Sequence, residues 1–171
     1  MAKYSISAAA ALAIATAFSA QAMASAPKLL QKSGDWSSYV YHGRGGKVCY
    51  ATSEPTRAGK GVPHRGAPLF SVTNRTSDKS AWVISIDMGV KLKAEAPVAL
   101  EIGRKTYALY AKDNEAWALH DKETVQAMMK AGSVAITATA HDGKHIADLY
   151  AMKGFSQSLA AIDRECGLRP K

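Results

Sequence analysis

The chain has 171 residues, and its 22 Lys and Arg against 14 Asp and Glu give a formal net charge of +8. This length corresponds to one domain plus a leader, and such a domain buries a sizeable core. The positive charge favours anionic partners such as lipid head groups, lipopolysaccharide, cell-wall polymers or nucleic acid. After the leader, no apolar stretch reaches the roughly 20 residues of a membrane-crossing helix, so the sequence pattern excludes a protein that spans the membrane with such helices.

The first 24 residues have the pattern of a secretory signal peptide. Lys3 supplies a positive charge, residues 6–20 are apolar and Ala-rich, and small residues suited to cleavage follow at Ala22 and Ala24. The apolar stretch of about 15 residues is too short for a membrane anchor, which is the alternative interpretation. We therefore expect a signal peptide over residues 1–24 and a single β-rich domain over 25–171, located in the periplasm or exported.

The two cysteines of the chain are Cys49 and Cys166. In an oxidising compartment the simplest arrangement is one disulfide between them, and a pair of buried free thiols is the alternative. The sequence has neither a CxxC redox motif nor a zinc-binding spacing. It therefore predicts a Cys49–Cys166 disulfide, with no metal site and no cofactor.

Most of the chain beyond the leader has the pattern of short strands separated by turn residues. The predicted strands are 36–42, 47–53, 69–74, 81–88, 98–102, 105–111, 115–119, 133–141 and 144–152. The clearest is 81–88, in which Trp82, Ile84 and Ile86 share one face. Ser85 lies on the other face, which predicts that the strand is buried on one side only.

Two dipeptides predict tight hairpins. Gly103-Arg104 suits a type II′ turn, and Asp142-Gly143 suits a type I′ turn. The second turn would pair His141 with Lys144 and place Leu149 on the core face. The same register would direct His141 outward and His145 inward, so the two histidines would not form a metal-binding pair.

Two short helices complete the predicted fold. The first has Asp121 as its N-cap and ends at Gly132. The second begins near Ser156, carries an apolar stripe that includes Cys166, and ends at Gly167. The predicted fold class is mainly β (α+β): an antiparallel β-sandwich or a partly open barrel with two short helices.

Catalytic motifs are missing from the sequence. It has no G-x-S-x-G elbow, no H-E-x-x-H, no P-loop and no dinucleotide-binding fingerprint. The carboxylates Glu95, Glu101, Asp113 and Glu115 do not have a spacing typical of a glycosidase pair. Such pairs also occur far apart in sequence, so an enzyme with dispersed carboxylates remains an alternative.

The best candidate contact surface is a polar loop over residues 54–66, which is rich in Gly and Pro. The cations of this surface are Arg57, Lys60 and Arg65 in the loop, with Arg44 and Lys47 before it. We expect the loop to be exposed and mobile and to meet an anionic polymer; a solvated loop without a ligand is the alternative. It contains no aromatic residue, so nucleic acid is not an expected partner.

Three ordered segments of the chain resemble the invasion-associated locus B family of exported bacterial proteins. They are GDW at 34–36 with GKVCY at 46–50, VALEIGRKTYALY at 98–110 with AW at 116–117, and GFSQSLAAIDREC at 154–166. The resemblance implies a β-rich periplasmic or envelope-associated protein without an established enzymatic activity. Many family members have further cysteines that this chain lacks, so their disulfide pattern does not carry over.

These observations lead to two hypotheses about function. The first is a non-enzymatic exported protein that binds a protein or an anionic envelope component, whether a polymer or a lipid surface. The second is a periplasmic enzyme that acts on cell-wall sugars with dispersed carboxylates. A cleft with two converging carboxylates would favour the second hypothesis, and a flat or convex basic face would favour the first.

Overall fold

The computed structural model describes residues 26–43 and 45–170. The predicted signal peptide therefore lies outside the described residues. The strands are β1 (Lys28–Ser33), β2 (Trp36–Gly43), β3 (Gly46–Ser53), β4 (Leu69–Arg75), β5 (Ser80–Asp87), β6 (Val98–Ile102), β7 (Lys105–Lys112), β8 (Glu115–Ala118), β9 (Ser133–Thr139) and β10 (His145–Ala151). The helices are α1 (Asp121–Met128) and α2 (Phe155–Cys166).

All ten strands form one antiparallel sheet in the order β1-β2-β3-β4-β5-β8-β7-β6-β9-β10. The sheet is not closed into a barrel, since β1 and β10 are its two ends. This architecture confirms the predicted mainly β fold class with two short helices. Within the described residues, neither helix is long and apolar enough to cross a bilayer.

The core lies against one face of the sheet, which we call the inner face. Trp36 of β2 packs against Phe70 at 5.7 Å and Phe155 at 4.7 Å between ring centroids, and Phe70 contacts Tyr150 at 5.3 Å. All four aromatic side chains are fully buried. Both helices contribute side chains to the same core, so they pack on the inner side of the sheet.

Several sequence predictions are confirmed by this packing. Ile84 and Ile86 are fully buried, while Ser85 between them lies on the opposite, outer face. A disulfide joins Cys49 on the inner face of β3 to Cys166 at the end of α2, with 6.0 Å between their Cα atoms. This bond fastens the second helix to the sheet.

The β6–β7 hairpin also has its predicted register. Ile102 pairs with Lys105, which leaves a two-residue turn, and Val98 pairs with Leu109. Strand β1 was not predicted. Its sequence, KLLQKS, does not alternate apolar and polar residues, and its pairing with β2 shifts by one residue after Leu29.

The predicted β9–β10 turn is wrong. The Gly143 N–H donates to the Ala140 carbonyl at 2.9 Å, and the Ala140 N–H donates to the Lys144 carbonyl at 2.8 Å. The loop therefore has three residues and ends with Gly143 at φ 86°, a left-handed conformation that glycine adopts without strain. His145 consequently pairs with Thr139, one residue away from the predicted register.

This shift turns every side chain of β10 to the other face. Asp148 and Tyr150 face the core, whereas Leu149, expected there, lies on the outer side. His145 is exposed, whereas the predicted register directed it inward. His141 is exposed, as that register predicted. Among the described residues, no group of three or more His, Cys, Asp or Glu is arranged to hold a metal ion.

Helix α1 also differs from its prediction. Asp121 is its first residue, not its N-cap, and its carboxylate accepts the backbone N–H of Ile84 at 2.8 Å. The helix ends at Met128, before the predicted stop at Gly132. Helix α2 begins at Phe155 and ends before Gly167, as expected.

Candidate functional site

The loop 54–66 follows the edge of β10 and is bonded to the sheet along its length. Arg57 and Leu149 exchange backbone hydrogen bonds of 3.3 and 2.8 Å. The start of the loop therefore forms an isolated antiparallel β-bridge with the outer edge of β10. At the other end, the Gly66 N–H donates to the Gly89 carbonyl at 2.8 Å. The loop therefore closes over the end of the sheet, and its predicted mobility stays a prediction.

Arg65 holds the end of this loop against the core. Its guanidinium Nη1 donates to Asp148 Oδ1 at 2.8 Å, Nη2 donates to Oδ2, and Nε donates to the Met88 carbonyl. The Gly59 N–H adds a bond of 2.8 Å to the same carboxylate. The Arg65 and Asp148 side chains are only 7% and 0% exposed. The Arg65 charge is therefore buried and already paired, so we do not count Arg65 in the exposed surface.

A buried phenol lies beside this ion pair. The Tyr150 hydroxyl is enclosed by the core and has no hydrogen-bond partner among the described residues. Burial raises the pKa of Tyr150 far above its usual range, and the negative charge of Asp148 raises it further. Tyr150 therefore remains a neutral phenol beside the paired charges.

The other predicted cations differ in their availability. Lys47 forms a half-exposed ion pair with Glu165 at 2.7 Å, and its ammonium lowers the pKa of that carboxyl group. Arg44 lies outside the described residues. Arg57 and Lys60 are exposed, and neither has an ion-pair partner in the described part of the chain. These two side chains remain available to a ligand.

The fold adds further cations beside this loop. The segment after β5 pairs with the tip of the β9–β10 hairpin, through bonds of 2.9 Å from the Lys93 N–H to Thr139 and from the His141 N–H to Lys91. The loop runs along the other side of the same hairpin. Eight exposed side chains thus lie along the β10 edge and around the tip of the β9–β10 hairpin, and we call them the basic surface: Arg57, Lys60, His64, Lys91, Lys93, His141, Lys144 and His145.

Sequence reasoning missed most of this surface because its members come from three separate segments. Only the pairing of strands brings Lys91 and Lys93 next to the hairpin tip. Lys144 is partly neutralised by Asp142, at 3.4 Å from its ammonium. The remaining side chains of the basic surface form no ion pair within the described residues.

The two buried carboxylates of the fold have structural partners. Asp148 is paired with Arg65, as described above. Asp163 of α2 accepts hydrogen bonds at 2.9 Å from the Asn74 amide and from the Trp82 indole, which ties the helix to β4 and β5. These contacts explain why both acids are tolerated inside the protein.

The four carboxylates named from the sequence lie elsewhere. Glu95, Glu101 and Asp113 are exposed, and Glu115 is half-buried at the start of β8. A cleft of about 450 Å³ borders on two other acids; its lining consists of Lys32, Gly34, Asp35, Ser37, Tyr39, Thr52, Ser53, Glu54, Pro55, Thr56 and Leu69. None of the four named carboxylates belongs to that lining.

The first and third of the family-like segments meet in the structure. The Asp35 N–H donates to the Lys153 carbonyl at 3.0 Å, directly before the buried Trp36. A Cβ atom on Gly154 would lie 1.8 Å from the Ser33 carbonyl oxygen, so only glycine fits there. These segments form a structural junction between the β1–β2 hairpin and α2.

Comparisons with known proteins support the fold alone. No family model matches the chain, and no curated protein sequence matches it. Among solved structures, the crystal structure of invasion associated protein B from Bartonella henselae is similar, with a TM-score of 0.58 and 16% sequence identity. The match covers 82% of this chain and 98% of that one. The likeness thus agrees with the fold that the sequence resemblance implied.

Proposed function

We propose that this chain is an exported, non-enzymatic protein of the cell envelope that binds an anionic envelope component through the basic surface. The observation that carries the proposal is the convergence of three chain segments into one exposed cationic region. A cationic cluster attracts polyanions and anionic lipid surfaces over about a Debye length, roughly 8–10 Å at physiological salt. A protein that presents similar negative charge would fit the same region.

Export is supported by two independent features. The first 24 residues have the pattern of a signal peptide, and disulfides persist mainly in oxidising compartments outside the cytosol. The similar crystal structure is of a protein described as invasion associated, which is compatible with a role at the cell surface. Binding rather than catalysis agrees with the structural use of the buried carboxylates Asp148 and Asp163.

The second hypothesis, an enzyme acting on cell-wall sugars, has one observation in its favour. Asp35 and Glu54 border the same cleft. Release of reducing ends from purified cell-wall glycan, lost in the Asp35→Asn and Glu54→Gln variants, would establish that activity. The non-enzymatic proposal predicts no release with the parent protein.

Co-sedimentation with vesicles of phosphatidylglycerol and phosphatidylcholine tests the binding proposal. Replacement of Arg57, Lys60, Lys91 and Lys93 by Glu should abolish sedimentation at low salt, and added salt should release the parent protein. The control replaces two exposed lysines beyond the open end of the β9–β10 hairpin, Lys130→Glu and Lys153→Glu. The matching double variant on the basic surface is Arg57→Glu with Lys60→Glu.

The two double variants carry the same net charge, so a difference between them reports location and not total charge. We expect the basic-surface variant to lose binding and the control to keep most of it. Equal loss in both would show that binding follows net charge without a site. Undiminished binding of the fourfold variant would place the contact elsewhere.

A further inference from the structure

A continuous row of uncharged side chains crosses the outer face of the sheet. The strand registers pair Ser37 with Thr52, Thr52 with Ser71, Ser71 with Ser85, Ser85 with Trp117, and Trp117 with Tyr110. We call these six side chains, four aliphatic hydroxyls followed by Trp117 and Tyr110, the hydroxyl row. It crosses six neighbouring strands, so it spans about 24 Å at the usual spacing between strands. Both helices lie on the inner side, which leaves this row facing outward.

Stacked aromatic rings lie at both ends of the row. Tyr110 and Trp117 stack with 5.3 Å between centroids and 18° between planes, and Tyr110 is 51% exposed. Near the other end, Tyr39 and Tyr50 stack at 5.3 Å and 20°. Each ring is held by its cross-strand neighbour, so these platforms are ordered before any ligand arrives.

The cleft of about 450 Å³ opens at the Tyr39 end of the row. Ser37 and Thr52 belong both to the row and to the cleft lining, so the two features are continuous. Asp35 and Glu54 give the cleft margin two carboxylates against one ammonium, that of Lys32. The whole chain has a net charge of +8, but this margin has more negative than positive side chains, which disfavours polyanions there.

We propose that the cleft and the hydroxyl row together bind an uncharged glycan chain. The aromatic platforms offer π-faces to the C–H faces of sugar rings, and they do so without charge. The serine and threonine hydroxyls donate and accept hydrogen bonds, and the carboxylates accept from sugar hydroxyls. Repulsion from Asp35 and Glu54 disfavours a phosphate or sulfate polymer relative to an uncharged chain. The site is separate from the basic surface and does not depend on it.

Nuclear magnetic resonance titration of the purified, ¹⁵N-labelled protein tests this assignment. The probes are the β-1,4-linked tetramers of N-acetylglucosamine and of glucose. We expect at least one tetramer to shift backbone resonances of Thr52, Ser71 and Ser85. Tyr39→Ala and Tyr110→Ala should each weaken that binding about five- to tenfold, because each removes a stacking platform. Leu119→Ala, which removes another exposed apolar side chain, should leave it unchanged.

The titration also separates this proposal from the anionic-binding proposal. Glycan binding should persist at high salt and in the variant with Arg57, Lys60, Lys91 and Lys93 replaced by Glu. No shifts with either tetramer at millimolar concentration would overturn the glycan site. Shifts confined to the basic surface, or equal weakening by Leu119→Ala and Tyr110→Ala, would overturn it as well.

Discussion

Replacement of Asp148 by Ala should destabilise the fold strongly. The substitution removes the acceptor of three hydrogen bonds, two of them from Arg65, and leaves that guanidinium charged and 7% exposed. Loss of one partner of a buried ion pair costs about 3–5 kcal/mol. For a domain of this size, 1 kcal/mol lowers Tm by roughly 3 °C, so the expected shift is about 9–15 °C.

Thermal and urea unfolding followed by circular dichroism measure this effect. The double variant Asp148→Leu with Arg65→Met should recover much of the lost stability, since it buries apolar groups in place of an unpaired charge. The control is Lys105→Ala, which breaks the ion pair with Glu123 on the exposed surface and should leave Tm nearly unchanged. A loss below about 1 kcal/mol for Asp148→Ala would refute the argument that this pair holds the loop.

Three further outcomes follow from the packing. Ile84→Asp buries an unpaired charge and should prevent folding or lower Tm sharply, whereas Ser85→Asp on the outer face should do far less; equal damage would contradict a strand buried on one face. Reduction of the disulfide should lower the free energy of unfolding by about 5 kcal/mol in the chain-entropy model, measured by urea unfolding with and without reductant; an unchanged urea midpoint would contradict this. Burial raises the pKa of Asp121 above its ordinary 3.8, partly offset by the N–H of Ile84, so its contribution to stability is present at low pH and lost as pH rises through the raised pKa. The Asp121→Asn variant keeps an acceptor oxygen, so its free energy of unfolding should rise relative to that of the parent protein between pH 4 and pH 7. A variant that loses stability relative to the parent over this range would contradict the assignment.

The local features of the fold could be predicted from the sequence. The alternation of apolar and polar residues predicted the buried face of β5, and the two-residue Gly-Arg turn predicted the β6–β7 register. The disulfide followed from cysteine count and compartment. In each case the information lies within a few residues or in the composition, so it does not require knowledge of distant neighbours.

The parts of the candidate site that the sequence did not reveal depend on non-local structure. One extra residue in the β9–β10 turn decides that Asp148 faces the core, and a buried acid then recruits Arg65 from the loop. Nothing in the loop composition distinguishes this arginine from Arg57, which stays exposed. Lys91 and Lys93 join the basic surface only through backbone pairing with the distant hairpin.

Hydrogen–deuterium exchange on anionic vesicles tests the central claim most directly. With phosphatidylglycerol vesicles at low salt, residues 57–66, 91–93 and 141–145 should become protected relative to the free protein. The segment around Lys130, beyond the open end of the β9–β10 hairpin, should exchange at its usual rate. Protection that spreads evenly over the molecule, or that is confined to surfaces other than these three segments, would contradict a basic binding surface.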